Sequence, residues 1–311
     1  MHRATSTRKA AAAPSAVVLV LAAIGANVAL AFGPWFVRLA DTGPVAAAFW
    51  RIALAVPVLF VAASMRGEHP IARGRGLGWL IALGGVAFAA DLGAWHLGIH
   101  RTTLANSTLF GNAASLIFPI YGFLVARAWP TRAQVLALLL AAAGGALLMG
   151  RSAELSASHL TGDLLCLAAG LLYAVYFIAM ARVRERVPPL PALALSSLAS
   201  VVPLLVFALA LGERIVPDHW WPLIALAVVS QLMGQGLMIF AIGHLSPLVI
   251  GITLLVQPVV AATIGVFAYG ERLGTLDLIG AVLVAVALVL VRRGSPRALA
   301  AVEAEAQKDA P

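Results

Sequence analysis

The sequence predicts an all-α integral membrane protein of ten transmembrane helices, arranged as two inverted five-helix repeats. Three observations carry that expectation: a composition too apolar for a soluble surface, arginines that alternate in density from one break to the next, and a chain that aligns with itself at a fixed offset. Of 311 residues, 62% are hydrophobic and 11% charged, where ordinary globular proteins carry roughly 25% charged residues. A bilayer core about 30 Å thick needs roughly 20 apolar residues per helix, and runs of that kind fill the chain between short charged breaks.

Taken in order, Arg3, Arg8 and Lys9 precede the first apolar run as they would in a signal peptide. That run extends from Ser15 to about Val37, too long for the apolar segment of a cleaved leader, and reads as a retained first span. The ten spans fall at 16–38, 44–65, 76–98, 103–125, 132–150, 160–181, 188–211, 219–241, 246–269 and 274–291. Grouped, they give a cytoplasmic tail at 1–15, a first repeat at 16–150, an external linker at 151–159, a second repeat at 160–292 and a cytoplasmic tail at 293–311.

Cytoplasmic loops carry an excess of Lys and Arg. One side of the membrane receives Arg3, Arg8, Lys9, Arg66, Arg73, Arg75, Arg127, Arg132, Arg182, Arg184, Arg186, Arg292, Arg293, Arg297 and Lys308, and the other only Arg38, Arg101, Arg151, Arg214 and Arg272. The asymmetry predicts both termini in the cytoplasm of a bacterial-type inner (plasma) membrane. Losing one span would scramble the alternation, so the charges also support the helix count.

Shifting the chain by 144 residues brings Arg38 onto Arg182, Pro44 onto Pro188, His100 onto His244 and Thr131 onto Thr275 without a gap. Each repeat then crosses the membrane five times, and an odd number of crossings inserts the second repeat upside down. Such inverted repeats share a pseudo-two-fold axis in the membrane plane, and their interface near mid-bilayer is the expected place for a small-molecule site.

The net charge of +8 comes from 19 Arg and 2 Lys scattered between apolar runs, with no basic face for nucleic acid. The single Cys166 excludes an intramolecular disulfide and disfavours a thiolate metal site. No metal and no cofactor is expected. The sequence lacks the G-x-x-x-x-G-K-[ST] phosphate loop, H-E-x-x-H and G-x-S-x-G, which argues against ATP hydrolysis and against an intramembrane enzyme. The partners expected are a small-molecule substrate and membrane lipid. Ala137, Ala141 and Gly145 form a smooth face on the fifth span that suits packing within the chain or against a second copy, so monomer and homodimer both stay open.

The stretch LSPLVIGITLLVQPVVAATIGVFAYGERLGTLDLIGAVLVAVALVLV, from Leu245 to Val291, resembles the closing two helices of an EamA-type repeat of the drug/metabolite transporter superfamily, with Pro258 followed by Gly270, Glu271 and Arg272. The first repeat matches as NSTLFGNAASLIFPIYGFLVARAWPTRAQ, from Asn106 to Gln134, but places Ala114 where Pro258 stands, with proline at 119, and Arg127 where Glu271 stands. The resemblance covers about residues 16 to 292. It implies a secondary transporter, commonly an exporter of amino acids, nucleosides or other small metabolites. The branch it is most similar to is that of the YddG-type aromatic amino-acid exporters.

Polar residues inside spans are costly and usually face an interior or a water-filled path. Asp91 and Trp95 share a face of the third span, four residues apart. A carboxylate there must find a partner or water; it either exchanges a proton and couples transport to a pH gradient, or stays solvated near the outer surface. His96 reads equally as an interfacial histidine. Thr108, Asn112 and Ser115 form a stripe on the fourth span, Gln231 and Gln235 on the eighth, and Thr253 and Gln257 on the ninth. These stripes line one shared cavity or hydrogen-bond the helices together.

Asn27, Tyr173 and Tyr176 lie at similar depths and complete the candidate cavity set. Trp35, Trp129, Trp220 and Trp221 lie near span ends, where tryptophan anchors the interface. Arg51, about two turns into the second span, has three fates: snorkelling outward, pairing with a carboxylate, or attracting a substrate carboxylate; snorkelling is the expectation. Pro57, Pro119, Pro203 and Pro258 are candidate kinks and gates, and Gly84, Gly85, Gly234, Gly236 and Gly251 candidate points of close approach.

Overall fold

The computed structural model describes residues 14–102, 107, 110–127, 129–150, 159–269 and 274–293. Thr108, the 151–158 part of the linker, the connection at 270–273 and most of both tails lie outside the described residues. All regular structure among the described residues is helical. Six helices are long and apolar enough to cross a membrane: Ala16–Leu39, Pro44–Met65, Gly78–Ile99, Leu160–Arg184, Pro189–Ala210 and Trp221–Ile242. They hold the first, second, third, sixth, seventh and eighth places. Shorter apolar helices, Ala114–Ala126, Arg132–Leu147, Pro247–Val260 and Leu278–Ala287, hold the fourth, fifth, ninth and tenth.

Local chemistry fixes the span ends. Ser15 and Ser246 cap their helices through side-chain oxygens that accept from Val18 N and Val249 N. Pro44, Pro189 and Pro247 open theirs, where the missing N–H costs nothing. The helix starts at Ala16, Pro44, Gly78 and Arg132 recur at Leu160, Pro189, Trp221 and Thr275, within a residue of the 144-residue offset.

Packing follows the same symmetry. The second span packs on the seventh, the fourth on the ninth and the fifth on the tenth, each pair being its own counterpart under exchange of the repeats. The third packs on the sixth, and the counterpart pair, eighth on first, is also in contact. Close approaches tighten these pairs. A Cβ on Gly85 would stand 2.4 Å from Ala199 Cβ and 2.8 Å from the Ser196 carbonyl, so the third and seventh spans touch backbone to backbone. A Cβ on Gly251 would meet Pro119 Cγ at 2.4 Å, whereas one on Gly236 would find Leu193 no nearer than 3.8 Å.

The small face of the fifth span packs within the chain: Ala137 and Ala141 are buried in one cluster with Val284 and Ala287 of the tenth. Trp129, Trp220 and Trp221 are exposed, as interfacial anchors would be, with Trp220 also edge-on against Trp50, but Trp35 packs on Phe32 and Phe36.

Among the described residues three spans are not continuous helices. The first breaks at Phe32 before the helix Gly33–Leu39, whose second residue is Pro34. The fourth turns at Asn112 and Ala113, and the ninth at Leu255, between Pro247–Leu254 and Val256–Tyr269. Pro258 explains the last: it has no N–H for the Leu254 carbonyl and sits in the first turn of the new helix, where none is needed. The eighth span winds as a π-helix from Leu226 to Gln235, a form usually limited to one turn and frequent at functional sites. Pro57 and Pro203 lie inside uninterrupted helices, and the breaks fall elsewhere than at the four prolines themselves.

At the bundle end bearing loop 40–43, Asp41 accepts hydrogen bonds from the amides of Asp218 and His219 and from the His219 ring. Glu213 accepts from the amide of Ala46 at 2.8 Å, capping the second span from a distant loop. Burial pushes the Asp41 carboxyl up, but the hydrogen bonds from Asp218 and His219 outweigh it and hold it below its ordinary value. This contribution is present at neutral pH and fades as pH falls through the carboxylate range.

The glycine contacts differ enough to test. Gly85→Ala is expected to destabilise the bundle by about 1–3 kcal/mol through overpacking. Gly236→Ala should be neutral or stabilising by up to about 1 kcal/mol, since alanine favours helix. Thermal unfolding of both purified variants in one detergent checks the contrast.

Candidate functional site

One cavity of about 80 Å³ lies near the middle of the spans, enough for several waters where about 10–15 Å³ holds one. Its wall is drawn from the three broken spans, at the breaks themselves: Ala31 and Pro34 of the first, Gly111, Asn112 and Ala114 of the fourth, Leu254 and Gln257 of the ninth. Arg51 of the second span, Phe88, Asp91 and Trp95 of the third and Tyr173 of the sixth complete its polar and aromatic lining. Irregular backbone is tolerated at membrane depth where it is buried in protein or lines a cavity, and here the breaks and the cavity coincide.

Of the residues expected from sequence, Asp91, Trp95, Asn112, Tyr173 and Gln257 line this cavity. Asp91 is 8% exposed and interacts electrostatically with Arg51. Trp95 lies against the backbone of the fourth span, its indole nitrogen 3.0 Å from where a Cβ on Gly111 would stand. Tyr173 donates to Gln235 Oε1 at 3.2 Å and stacks on Phe88 and Tyr176.

The other expected residues lie outside that wall, in the packing around it. Asn27 is fully buried, donates to the Ala23 carbonyl at 2.8 Å, and accepts from Gln257 Nε2 at 2.8 Å. It orients a cavity residue. Gln235 does the same for Tyr173, and Gln231 for Arg51: its Oε1 accepts from Arg51 Nε at 3.2 Å while its amide donates to Ser197 Oγ at 3.1 Å. Thr253 turns inward on its own helix, donating to the Ile250 carbonyl. Ser115 and Tyr176 are buried, Tyr176 stacked on Phe88 with ring centroids 4.5 Å apart. Pro119 packs on Gly251. His96 is buried and bonded to the Pro44 carbonyl, so it is a packing residue at the start of the second span, not an interfacial one.

Arg51 departs most from expectation. It does not snorkel: it is 4% exposed, faces the cavity, and has its guanidinium 5.8 Å from the Phe88 ring centroid. The reason is local. Gln231 and Ser197 offer a buried polar support, Phe88 offers a π-face, and Trp50, beside it, is turned away to donate to the Ile215 carbonyl at 2.7 Å. The polar seventh-span run Ser196, Ser197 and Ser200, all fully buried, was the sequence signal for that support. The Gly33-Pro34 pair inside the first span was the signal for its break. Among the described residues no group of three His, Cys, Asp or Glu side chains is placed to hold a metal.

The sequence profile of the EamA-like transporter family matches residues 17–150 and again 160–293. No curated protein matches the chain. A solved structure, described only as the crystal structure of a protein, superposes with a TM-score of 0.72 at 15% identity, over 88% of this chain and 95% of that one; at that identity the likeness concerns the fold.

Asn27→Leu separates support from lining. It leaves the Gln257 amide without its buried acceptor and is expected to cost about 1–3 kcal/mol. A thermal unfolding midpoint equal to wild type would show that Gln257 does not depend on Asn27.

Proposed function

The chain belongs to the EamA-like transporter family, and from that premise we propose that it is a secondary transporter that moves small organic metabolites by alternating access. The direction proposed is export across a bacterial-type inner membrane, with both termini cytoplasmic. The cargo proposed is amino acids with aromatic or other apolar side chains. The observation that carries the reading is the coincidence of one polar cavity with the breaks in three spans from both repeats. Discontinuous helices meeting at a repeat interface are the arrangement in which transporters bind cargo and rock one repeat against the other.

Each part of the site has a task in that cycle. Trp95, Phe88 and Tyr173 give the cavity an aromatic wall for an apolar side chain. Asn112 and Gln257, from matching spans of the two repeats, give it neutral polar contacts. Asp91 is the cavity's carboxylate and the proposed proton-coupling group. The charge asymmetry of the loops supports the orientation, and the chain's general similarity to aromatic amino-acid exporters, with the aromatic residues at the cavity, supports the cargo.

Three results test this reading. Asn112→Trp, which fills the cavity, should abolish efflux of amino acids from loaded cells while membrane abundance stays near normal; equal loss of both would make the polar residues packing elements. Asp91→Asn should remove the response of the remaining flux to an imposed pH gradient, because an amide keeps polarity and cannot exchange a proton. Unchanged pH dependence would end the coupling role. A cysteine placed at Ser156 should react with an impermeant thiol reagent in intact cells, and labelling only after permeabilisation would reverse the orientation.

A further inference from the structure

Arg51 presents an unusual combination: a guanidinium with five N–H donors, nearly fully buried, at the wall of a cavity. Gln231 takes Nε alone. Among the described residues no carboxylate stands within ion-pair distance of it. Burying an unpaired charge is expensive in any protein interior. The Phe88 face and the more distant Asp91 offset part of that cost. A ligand carboxylate accepting two parallel N–H bonds would complete it.

A second feature points the same way. Ala114 begins the helix Ala114–Ala126, and Gln257 is the second residue of Val256–Tyr269; both line the cavity. The first turn of a helix holds amides with no partner inside the helix and carries partial positive charge. The first turn of Val256–Tyr269 therefore borders the same cavity as Arg51, whereas in Ala114–Ala126 the amides of Ser115, Leu116 and Ile117 already donate to the Asn112 and Ala113 carbonyls. Among the described residues Asp91 is the only acidic side chain on the cavity wall, so the lining offers one basic and one acidic group.

We propose that this cavity binds small zwitterions, with Arg51 as the specificity-determining residue that holds the carboxylate, beside the N-terminus of Val256–Tyr269, and Asp91 holding the ammonium group. Gln231 is a positioning residue: bonded to Ser197 on one side and Arg51 Nε on the other, it turns the outer edge of the guanidinium into the cavity. The inference rests on the transporter reading and deepens it, because it names the two charged groups that the cargo must carry. An amine without a carboxylate leaves Arg51 unpaired, and a carboxylate without an amine leaves Asp91 unpaired.

The test is ligand-induced thermal stabilisation of the purified full chain. The panel is the standard L-amino acids and γ-aminobutyrate, with their methyl esters, decarboxylated amines and deaminated acids. At least one amino acid should raise the unfolding midpoint, and its ester, amine and deaminated acid should each bind at least about tenfold more weakly, the scale of a lost charge-assisted hydrogen bond. Arg51→Gln should lose the same factor and Arg51→Lys less. If the Arg51 variants do not fold, the comparison of acid with ester on the wild-type chain carries the result alone.

Equal affinity for acid and ester, equal affinity for amino acid and deaminated acid, or full binding by Arg51→Gln overturns the proposal. Binding of uncharged or cationic compounds only, with their flux blocked by Asn112→Trp, overturns it and leaves the transporter reading in place. No binding and no flux of any compound removes both.

Discussion

Within hydrocarbon a polar group has no water to fall back on, so each one must be satisfied by the chain or by a cavity the chain encloses. The polar interior of this bundle is organised by that constraint. Asn27 bonds Gln257, Gln235 bonds Tyr173, and Ser197 and Gln231 together hold Arg51. Each chain of contacts runs from a fully buried residue to one at the cavity wall. The apolar faces of the helices need no such bookkeeping, and they carry glycine and alanine where two backbones meet.

The two repeats share their architecture and divide their chemistry. Exchange of the repeats preserves which spans touch, yet the third span is a regular helix bearing Asp91, and the eighth winds as a π-helix with Gln235 at the corresponding position. The cavity therefore receives its acid from one half only, and the support for Arg51 from the other. An inverted repeat gives the possibility of two related conformations; its unequal side chains make the cavity's two halves chemically distinct.

Much of this was legible in the sequence because the bilayer imposes long periods. Span number, loop charge and the self-alignment are properties of 20-residue segments, and they survive errors at any one position. Asp91, Trp95, Asn112, Tyr173 and Gln257 were also legible, since polarity within an apolar run singles them out. What a polar residue faces was not. Gln231 and Gln235 share a stripe, but whether they meet the cavity or another helix depends on the seventh and sixth spans beside them. Arg51 was misread for that reason: snorkelling is a property of an isolated helix, and Ser197, Gln231 and Phe88 come from three others. The break at Phe32 hid because Gly33-Pro34 resembles an ordinary span end.

The central claim is that this chain, alone and without ATP, carries small metabolites through the cavity at the repeat interface. Counterflow in liposomes containing only the purified protein tests it most directly. Vesicles preloaded with an unlabelled amino acid should transiently accumulate the same labelled compound above its equilibrium level, with no nucleotide present. Absence of accumulation for every preloaded compound, from correctly inserted and folded protein, would contradict it.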